Sequence, residues 1–362
     1  MAEISQTKAK AIQRHAINEL LQAPTLVPLR RSDQDWSVDQ PTIVPDSTIL
    51  MASVQALEEG QTHYVGVPGI EPLRAALALH LNLPGYNESN MLVTTGVQES
   101  RFLTIQKIGE EYGRIGLPAV VHPGVRQAIG TRPLGMELLA VEPSTQLPTL
   151  ASVRAALESG CKLIYLESPS RLTGATFDQE TVATIAKLLI EFDAGAIWDQ
   201  GLAPWATDYA SLAAQPGMAE RVAVIGEAWP GIGLESWAIG YIGANANWFP
   251  SMQSQKQIMA ICTSTATQYA ALKAAEQYDA VHGEQVEQLA QLRQETVAKV
   301  EAAGAEVLHG ETATLLALRD SADSVANGLT ASGASYADGA DFGAAGVLRL
   351  TMMPEQVISF VG

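Results

Sequence analysis

The chain has 362 residues, which exceeds what one hydrophobic core usually holds, so two domains are expected. Apolar residues make up 47% and charged residues 17% of the chain, a composition that is typical of a globular protein. The net charge of −17 argues against nucleic acid or an anionic membrane as a partner, and no apolar run is long enough to span a bilayer. Two cysteines cannot form a disulfide framework, which favours a cytoplasmic protein. We predict no metal site.

The first hundred residues predict helices, a loop and a turn. Apolar periodicity predicts helices at 7–21 and 48–59, separated by a loop rich in Pro and Asp. A segment rich in Gly and Pro then carries Tyr64 and Gly69 and leads into another helix. From the residues alone, this segment is a tight turn that precedes a helix.

A candidate anion site follows the next expected strand. That strand lies at 90–95, and Gly96, Val97 and Gln98 begin a helix that extends to about residue 111. A Gly at a strand-to-helix turn lets backbone N–H groups point at an anion, and the positive end of the helix dipole adds to the attraction.

Strand-like and helical runs alternate through the middle of the chain. Strands are expected at 119–122, 137–141, 162–167, 194–199, 222–226 and 237–244, and helices at 150–159 and after Asp178. This alternation predicts an α/β protein with a mostly parallel sheet. Helices at 255–280 and 283–303, followed by strands at 306–308 and 314–319, indicate a small second domain.

Three charged residues in these elements are candidate site residues. Asp199 ends a buried strand and needs a partner, because an isolated buried charge is costly; the alternative is a strand-end cap. Arg126 lies in a Pro-Gly turn and either faces a cavity or is solvated. Arg171 could pair with a ligand carboxylate or phosphate, which a guanidinium group suits.

From about residue 48 to 350 the motifs resemble, in order, those of the class I/II aminotransferases, which are fold-type I enzymes that use pyridoxal 5′-phosphate. The segments that carry the resemblance are the turns at 64–74 and 96–98, SPSRLTG at 168–174, WDQGL at 198–202, SWAIGY at 236–241, and 336–350. The resemblance implies a large domain with a mostly parallel seven-stranded sheet and a smaller α/β domain. We place the large domain at 48–247, and the small domain at 1–47 together with 248–362.

The resemblance also implies roles for the matching residues. Tyr64 would reach the cofactor phosphate of a neighbouring subunit in a homodimer, and the turn at 96–98 would hold the phosphate in its own subunit. Asp199 would stabilise the protonated pyridine nitrogen of pyridoxal 5′-phosphate. Arg349 would bind the substrate α-carboxylate through a bidentate contact.

Five positions depart from the family pattern, and all concern the cofactor. Pro230 stands in place of the Schiff-base lysine, Ala238 in place of a phosphate-binding arginine, and Leu202 in place of a tyrosine. Arg171 replaces an asparagine that bonds the ring hydroxyl, and the turn with Arg126 lacks the aromatic that stacks on the ring.

No lysine occurs at 188–255 that could replace Pro230, and proline has neither an amine nor a backbone N–H. We therefore expect an aminotransferase-like protein that cannot catalyse ordinary transamination and has no catalytic residue. An anionic amino-acid-like or phosphate ligand would bind to Arg126, Arg171 and Arg349. One alternative is a pseudoenzyme or regulatory subunit, in a homodimer or with an active paralogue. Another is a true aminotransferase that holds pyridoxal phosphate without a covalent bond.

Overall fold

The computed structural model describes residues 37–41, 43–131 and 134–354, so the predicted helix at 7–21 lies outside the described residues. The described chain forms two β-sheets with helices packed against them, and the larger sheet has seven strands that are mostly parallel. This confirms the predicted α/β class. None of the described helices is long and apolar enough to cross a membrane, and no cluster of metal-ligating side chains occurs in the same residues.

The helices of the described residues have the following bounds. They are α1 Ser47–Glu58, α2 Glu71–Leu81, α3 Gly96–Tyr112, α4 Pro123–Gly130, α5 Leu150–Glu158, α6 Gln179–Glu191, α7 Phe249–Ala260, α8 Thr265–Ala302, α9 Ser324–Ala331 and α10 Gly339–Phe342. Short 3₁₀ turns occur at Glu88–Asn90, Ala203–Trp205, Leu212–Ala214 and Glu235–Trp237.

The strands of the described residues belong to two sheets. They are β1 Met91–Thr95, β2 Arg114–Pro118, β3 Gly135–Leu139, β4 Leu163–Glu167, β5 Gly195–Asp199, β6 Val222–Glu227, β7 Ile239–Gly243, β8 Glu306–Val307, β9 Leu315–Arg319, β10 Ala337–Asp338 and β11 Val347–Thr351. The larger sheet has the order β1-β7-β6-β5-β4-β2-β3, in which β7 is antiparallel to both neighbours and the other pairs are parallel. The smaller sheet is antiparallel, in the order β10-β11-β9-β8.

The larger sheet is covered on both faces, and its sequence reflects this. Trp198 of β5 packs in a core that includes Val182 of α6, whereas the adjacent Ile197 packs in a second core that includes Leu103 of α3. Every residue of β4 and β5 is buried. A strand buried on both sides reads as a continuous apolar run, which explains why these two strands are recognisable in the sequence.

Two sequence-based predictions are wrong. A strand is expected at 119–122, but β2 ends at Pro118, because the chain turns there and the His122 side chain caps α4 by accepting from the Gly124 N–H. Two helices are expected on either side of residues 281–282, but α8 is continuous through this point. A glycine within a helix costs only about 1 kcal/mol, so Gly283 does not end a helix that packs along its length.

Candidate functional site

Three neighbouring parallel strands of the larger sheet each end in a carboxylate. Glu167 ends β4, Asp199 ends β5 and Glu227 ends β6. The carboxyl ends of parallel strands meet at one edge of an open α/β sheet, which is where such folds bind ligands. Glu167 and Asp199 are buried, and the Glu227 side chain is 18% exposed. Burying three acidic groups requires neutralising partners.

Two buried arginines supply these partners. Arg171 donates from Nη2 to Asp199 Oδ1 at 2.7 Å, and from Nη1 and Nη2 to the two Glu227 oxygens at 2.8 and 2.9 Å. Arg101 of α3 donates from Nε and Nη2 to Asp199 Oδ2 at 3.2 and 2.9 Å. Tyr165 of β4 donates to the same oxygen at 3.1 Å. We call Arg101, Tyr165, Arg171, Asp199 and Glu227 the ionic cluster.

Both oxygens of Asp199 are used by protein groups. Oδ1 accepts from Arg171 and from the Gly201 N–H at 3.1 Å, while Oδ2 accepts from Arg101 and Tyr165. Burial alone would raise the pKa of Asp199, but Arg171 and Arg101 lower it well below its ordinary value. Asp199 is therefore an ionised carboxylate that accepts five hydrogen bonds from four residues of the chain itself.

Glu167 titrates differently from Asp199. Burial raises the pKa of Glu167 to about 7, the charge on Asp199 adds to this effect, and Arg101 opposes it. Within the described residues its carboxyl oxygens accept from two backbone N–H groups, those of His122 at 3.0 Å and Arg171 at 3.3 Å. When Glu167 is protonated, the two guanidinium groups balance the two carboxylates of the ionic cluster.

Arg349 of β11 lies in a second network. Its Nη1 atom donates to Asp39 Oδ1 at 2.8 Å and to the Arg171 carbonyl at 2.9 Å, and its Nη2 atom donates to the carbonyls of Ser37 and Val38. The Arg349 side chain is 1% exposed and the Asp39 side chain 34% exposed. The guanidinium also lies 5.1 Å from the centre of the Phe342 ring.

His122 connects the two networks. Its Nδ1 atom accepts from Arg101 Nη1 at 3.0 Å and from the Gly124 N–H, so its Nε2 atom carries the proton and donates to Asp39 Oδ2 at 2.7 Å. Burial and the nearby Arg101 lower the pKa of His122. Burial would raise the pKa of Asp39, but Arg349 and His122 hold it well below the usual range. A neutral imidazole thus links Arg101 to Asp39.

The β6–β7 loop contains Pro230, which is buried. Ala238 at the end of this loop adopts a left-handed backbone conformation, with φ of 48°. Its Cβ atom lies so close to the start of α3 that a Cβ on Gly96 would approach it to 3.2 Å. Ala238 therefore covers the first residue of α3.

An internal carboxylate lies beside the same end of α3. Glu99 accepts a hydrogen bond from the Thr95 N–H, immediately before the helix. The Lys256 ammonium of α7, which is fully buried, lies 2.9 and 3.0 Å from the two Glu99 oxygens. The Gln98 amide donates to the Gly124 carbonyl at 2.9 Å.

The other residues predicted for the site lie outside the ionic cluster. Arg126 donates from Nη2 to the carbonyls of Ala119 and Phe342, which links α4 to the α10 region. Leu202 is buried in the core beneath the smaller sheet. Tyr64 is 78% exposed and lines a surface cavity of about 310 Å³.

Sequence reasoning missed five residues of the two networks, namely Asp39, Arg101, His122, Tyr165 and Glu227. Glu227 left a signal in the sequence, because it repeats the strand-ending carboxylate of β4 and β5. Arg101 does not stand out in α3, because the buried positions of this helix are polar as well as apolar. Asp39 and His122 left none, because their partners are distant in the chain.

Comparison of sequences shows which known proteins are similar to this chain. The family model "Aminotransferase class I and II" matches residues 35–359. The putative aminotransferase YugH of Bacillus subtilis is 26% identical over 245 residues, which cover 65% of this chain and 63% of that protein. The probable aspartate/prephenate aminotransferase of Aquifex aeolicus is 25% identical over 249 residues, or 66% of this chain and 63% of that protein. The chain thus matches less than two thirds of the length of either relative.

Solved structures show the same fold. A double mutant of Thermus thermophilus aspartate aminotransferase has a TM-score of 0.81 and 20% identity, over 97% of this chain and 93% of that chain. The aromatic aminotransferase from Pyrococcus horikoshii has a TM-score of 0.81 and 19% identity, over 89% and 91%. These likenesses confirm the predicted fold of the pyridoxal-phosphate-dependent transferases, and the family model covers most of the sequence. The chain therefore belongs to the aminotransferase class I and II family.

Proposed function

We propose that the chain is a member of this family that does not transaminate and that functions without pyridoxal 5′-phosphate, as a non-catalytic subunit of an assembly. The observation that carries the proposal is the saturation of Asp199 by Arg101, Arg171, Tyr165 and a backbone N–H. Family resemblance assigns Asp199 to the pyridine nitrogen, and here its acceptor capacity is already used.

The residues present do not fit the ring of the cofactor. To free an Asp199 oxygen, Arg101 or Arg171 would have to move away from it. Both side chains are 1% exposed, and removing the partner of a buried charge costs about 3–5 kcal/mol. Pro230 in addition offers no amine for a covalent link.

The residues at the phosphate end do not fit either. Ala238 brings a methyl group, rather than a guanidinium, against the start of α3. The Glu99 carboxylate lies at the same helix end, where the helix dipole favours one negative charge. Glu99 already pairs with Lys256, so this ammonium group is not available to attract a second anion. Phosphate binding by the turn at 96–98 stays a prediction.

Exposed apolar side chains near Tyr64 support a role in assembly. Tyr64 and Ile258 are each 78% exposed, and Ile261 is 37% exposed. The loop at 61–64 and the segment at 262–266, which includes the first residues of α8, both line the 310 Å³ surface cavity. Thr265 Oγ1 donates to the His63 carbonyl at 3.3 Å. Ile261 adjoins Cys262, which lines this cavity together with Tyr64, and exposed apolar side chains beside a cavity suit a contact with another protein. We propose a second copy of the chain as the partner, and an active paralogue is the alternative.

The cofactor part of the proposal is tested with purified protein and pyridoxal 5′-phosphate. We expect no amino-group transfer from L-aspartate to 2-oxoglutarate and no cofactor that borohydride fixes to a defined lysine. Pro230→Lys should not restore transfer, because the pyridine and phosphate contacts are also replaced, and Pro216→Lys at an exposed position controls for unspecific lysine modification. Transfer by the wild-type protein, or a fixed cofactor on one mapped lysine, would refute this part.

The assembly part is tested by native mass spectrometry. We expect a dimer that Tyr64→Ser combined with Ile258→Ser weakens. Leu138→Ser is the matched control, since Leu138 is 62% exposed on β3, at the opposite edge of the larger sheet from β1. A purified protein that stays monomeric at micromolar concentration would contradict the homodimer. If the protein also stays monomeric after incubation with cell extract, the paralogue alternative is contradicted as well. Neither result affects the cofactor experiment.

A further inference from the structure

Residues 37–41, which we call the strap, are held in place by hydrogen bonds from Arg349 and Trp205. Arg349 Nη2 donates to the carbonyls of Ser37 and Val38, at 2.6 and 3.0 Å, and Trp205 Nε1 donates to Gln40 Oε1 at 2.7 Å. The acceptors in these hydrogen bonds are uncharged oxygens, namely two backbone carbonyls and a side-chain amide. The strap has one charged side chain, that of Asp39.

Asp39 bridges the two sheet systems with its two oxygens. Oδ1 binds Arg349 of β11 in the smaller sheet, and Oδ2 binds His122, which caps α4 against the larger sheet. Arg349 is 1% exposed, whereas the Asp39 side chain is 34% exposed. The anion thus lies on the solvent side of a buried cation.

Arg349 and Arg171 differ in how firmly their anions are held. Arg171 binds two carboxylates that are fixed at the ends of strands. Within the described residues the ion-pair partner of Arg349 is Asp39, and its other acceptors are backbone carbonyls. Asp39 belongs to a segment without helix or strand structure. Displacing Asp39 therefore breaks no strand pairing, whereas displacing Asp199 or Glu227 would.

The resemblance assigns Arg349 to a ligand carboxylate, and we infer that the strap blocks this site. Asp39 occupies the carboxylate position between Arg349 and His122, and a small carboxylate from solution binds there by displacing the strap. Such a ligand needs one planar carboxylate that accepts from the guanidinium on one oxygen and from the imidazole Nε2–H on the other, as Asp39 does. Binding would unlink β11 from α4. The inference does not depend on the proposed absence of the cofactor.

The inference is tested with succinate as the probe. Asp39→Asn keeps the size of the side chain but removes the competing charge, so this variant should bind succinate at least tenfold more tightly than the wild-type protein by calorimetry. Asp208→Asn, at an exposed aspartate outside the networks, should bind like the wild type. Adding Arg349→Gln to Asp39→Asn should abolish the gain. Equal affinity in the wild type and Asp39→Asn, or no binding to either, overturns the inference.

A second measurement needs no variant and covers the case in which Asp39→Asn does not fold. Saturating succinate should increase the hydrogen exchange of the strap amides in the wild-type protein, because the ligand releases the strap. A ligand that binds elsewhere would leave this exchange unchanged or slow it, and either result overturns the inference. Failure of this test leaves the cofactor and assembly experiments unaffected.

Discussion

Replacing Arg171 with methionine tests whether the ionic cluster stabilises the fold. Met retains much of the aliphatic stem but removes the contacts with Asp199 and Glu227, which are 2.7 and 2.8 Å long. Asp199 retains Arg101 and Tyr165, whereas Glu227 is left without the arginine. Removing one partner of a buried ion pair costs about 3–5 kcal/mol. We expect a loss of about 4 kcal/mol in the free energy of unfolding.

The assay is equilibrium unfolding in urea at pH 8, where the Asp199 carboxylate is ionised because its pKa is lowered. Arg154→Met is the matched control: Arg154 is 47% exposed and pairs with Glu158 and Glu191, so its loss should cost less than about 1 kcal/mol. The double variant Arg171→Met/Glu227→Gln should recover about half of the loss, because it no longer strands a charge. If Arg171→Met costs no more than Arg154→Met, the reasoning is refuted.

Two further predictions concern other buried charges. The pKa of Glu167 in the folded protein is about 7, above its ordinary value of 4.5, so its contribution to stability is complete below pH 4.5 and declines by ~3 kcal/mol as the pH rises to 7. Glu167→Gln lacks this pH dependence. In urea unfolding, the free energy of unfolding of the variant should therefore rise by ~3 kcal/mol relative to that of the wild type between pH 4.5 and 8. A difference in the free energy of unfolding that does not change with pH would contradict this. Glu99→Gln should destabilise the protein more than Lys256→Met by ~1 kcal/mol or more in the same assay. In Glu99→Gln the described residues leave Lys256 with neutral acceptors such as the Thr263 hydroxyl and no carboxylate, whereas Glu99 without Lys256 retains the Thr95 N–H and the helix dipole. A larger loss in Lys256→Met than in Glu99→Gln would contradict this prediction, because it would mean that an unpaired Glu99 costs more than an unpaired Lys256.

The fold could be predicted from local patterns because each element carries its own signal. The apolar period of α6 and the cap at Asp178 identify that helix, and the continuous apolar runs of β4 and β5 identify strands that are covered on both faces. β2 contains Arg114 and Gly116 and lacks such a run. Its pairing with β3 and β4, which the sequence does not reveal, determines its position.

The networks could be predicted only in part. Asp199 and Arg171 are 28 residues apart in motifs that are recognisable one by one, whereas Arg101 lies 98 residues from Asp199, and Asp39 lies 310 residues from Arg349. The resemblance gives Asp199, Arg171 and Arg349 separate roles toward a ligand. Their contacts with protein carboxylates and guanidinium groups appear only when distant segments are brought together.

Charge balance explains why these contacts matter for function. Arg101 and Arg171 already pair with the carboxylates of Asp199 and Glu227, and the pKa of Glu167, raised to about 7, limits the negative charge that this third carboxyl group adds. A further anion in the ionic cluster would find no unpaired cation, so it would have to displace a carboxylate that is fixed at a strand end. The carboxylate that pairs with Arg349 is Asp39 of the strap, so a ligand carboxylate could replace it without breaking any strand pairing. The same rule of buried charge therefore argues against a cofactor at Asp199 and favours a displaceable carboxylate at Arg349.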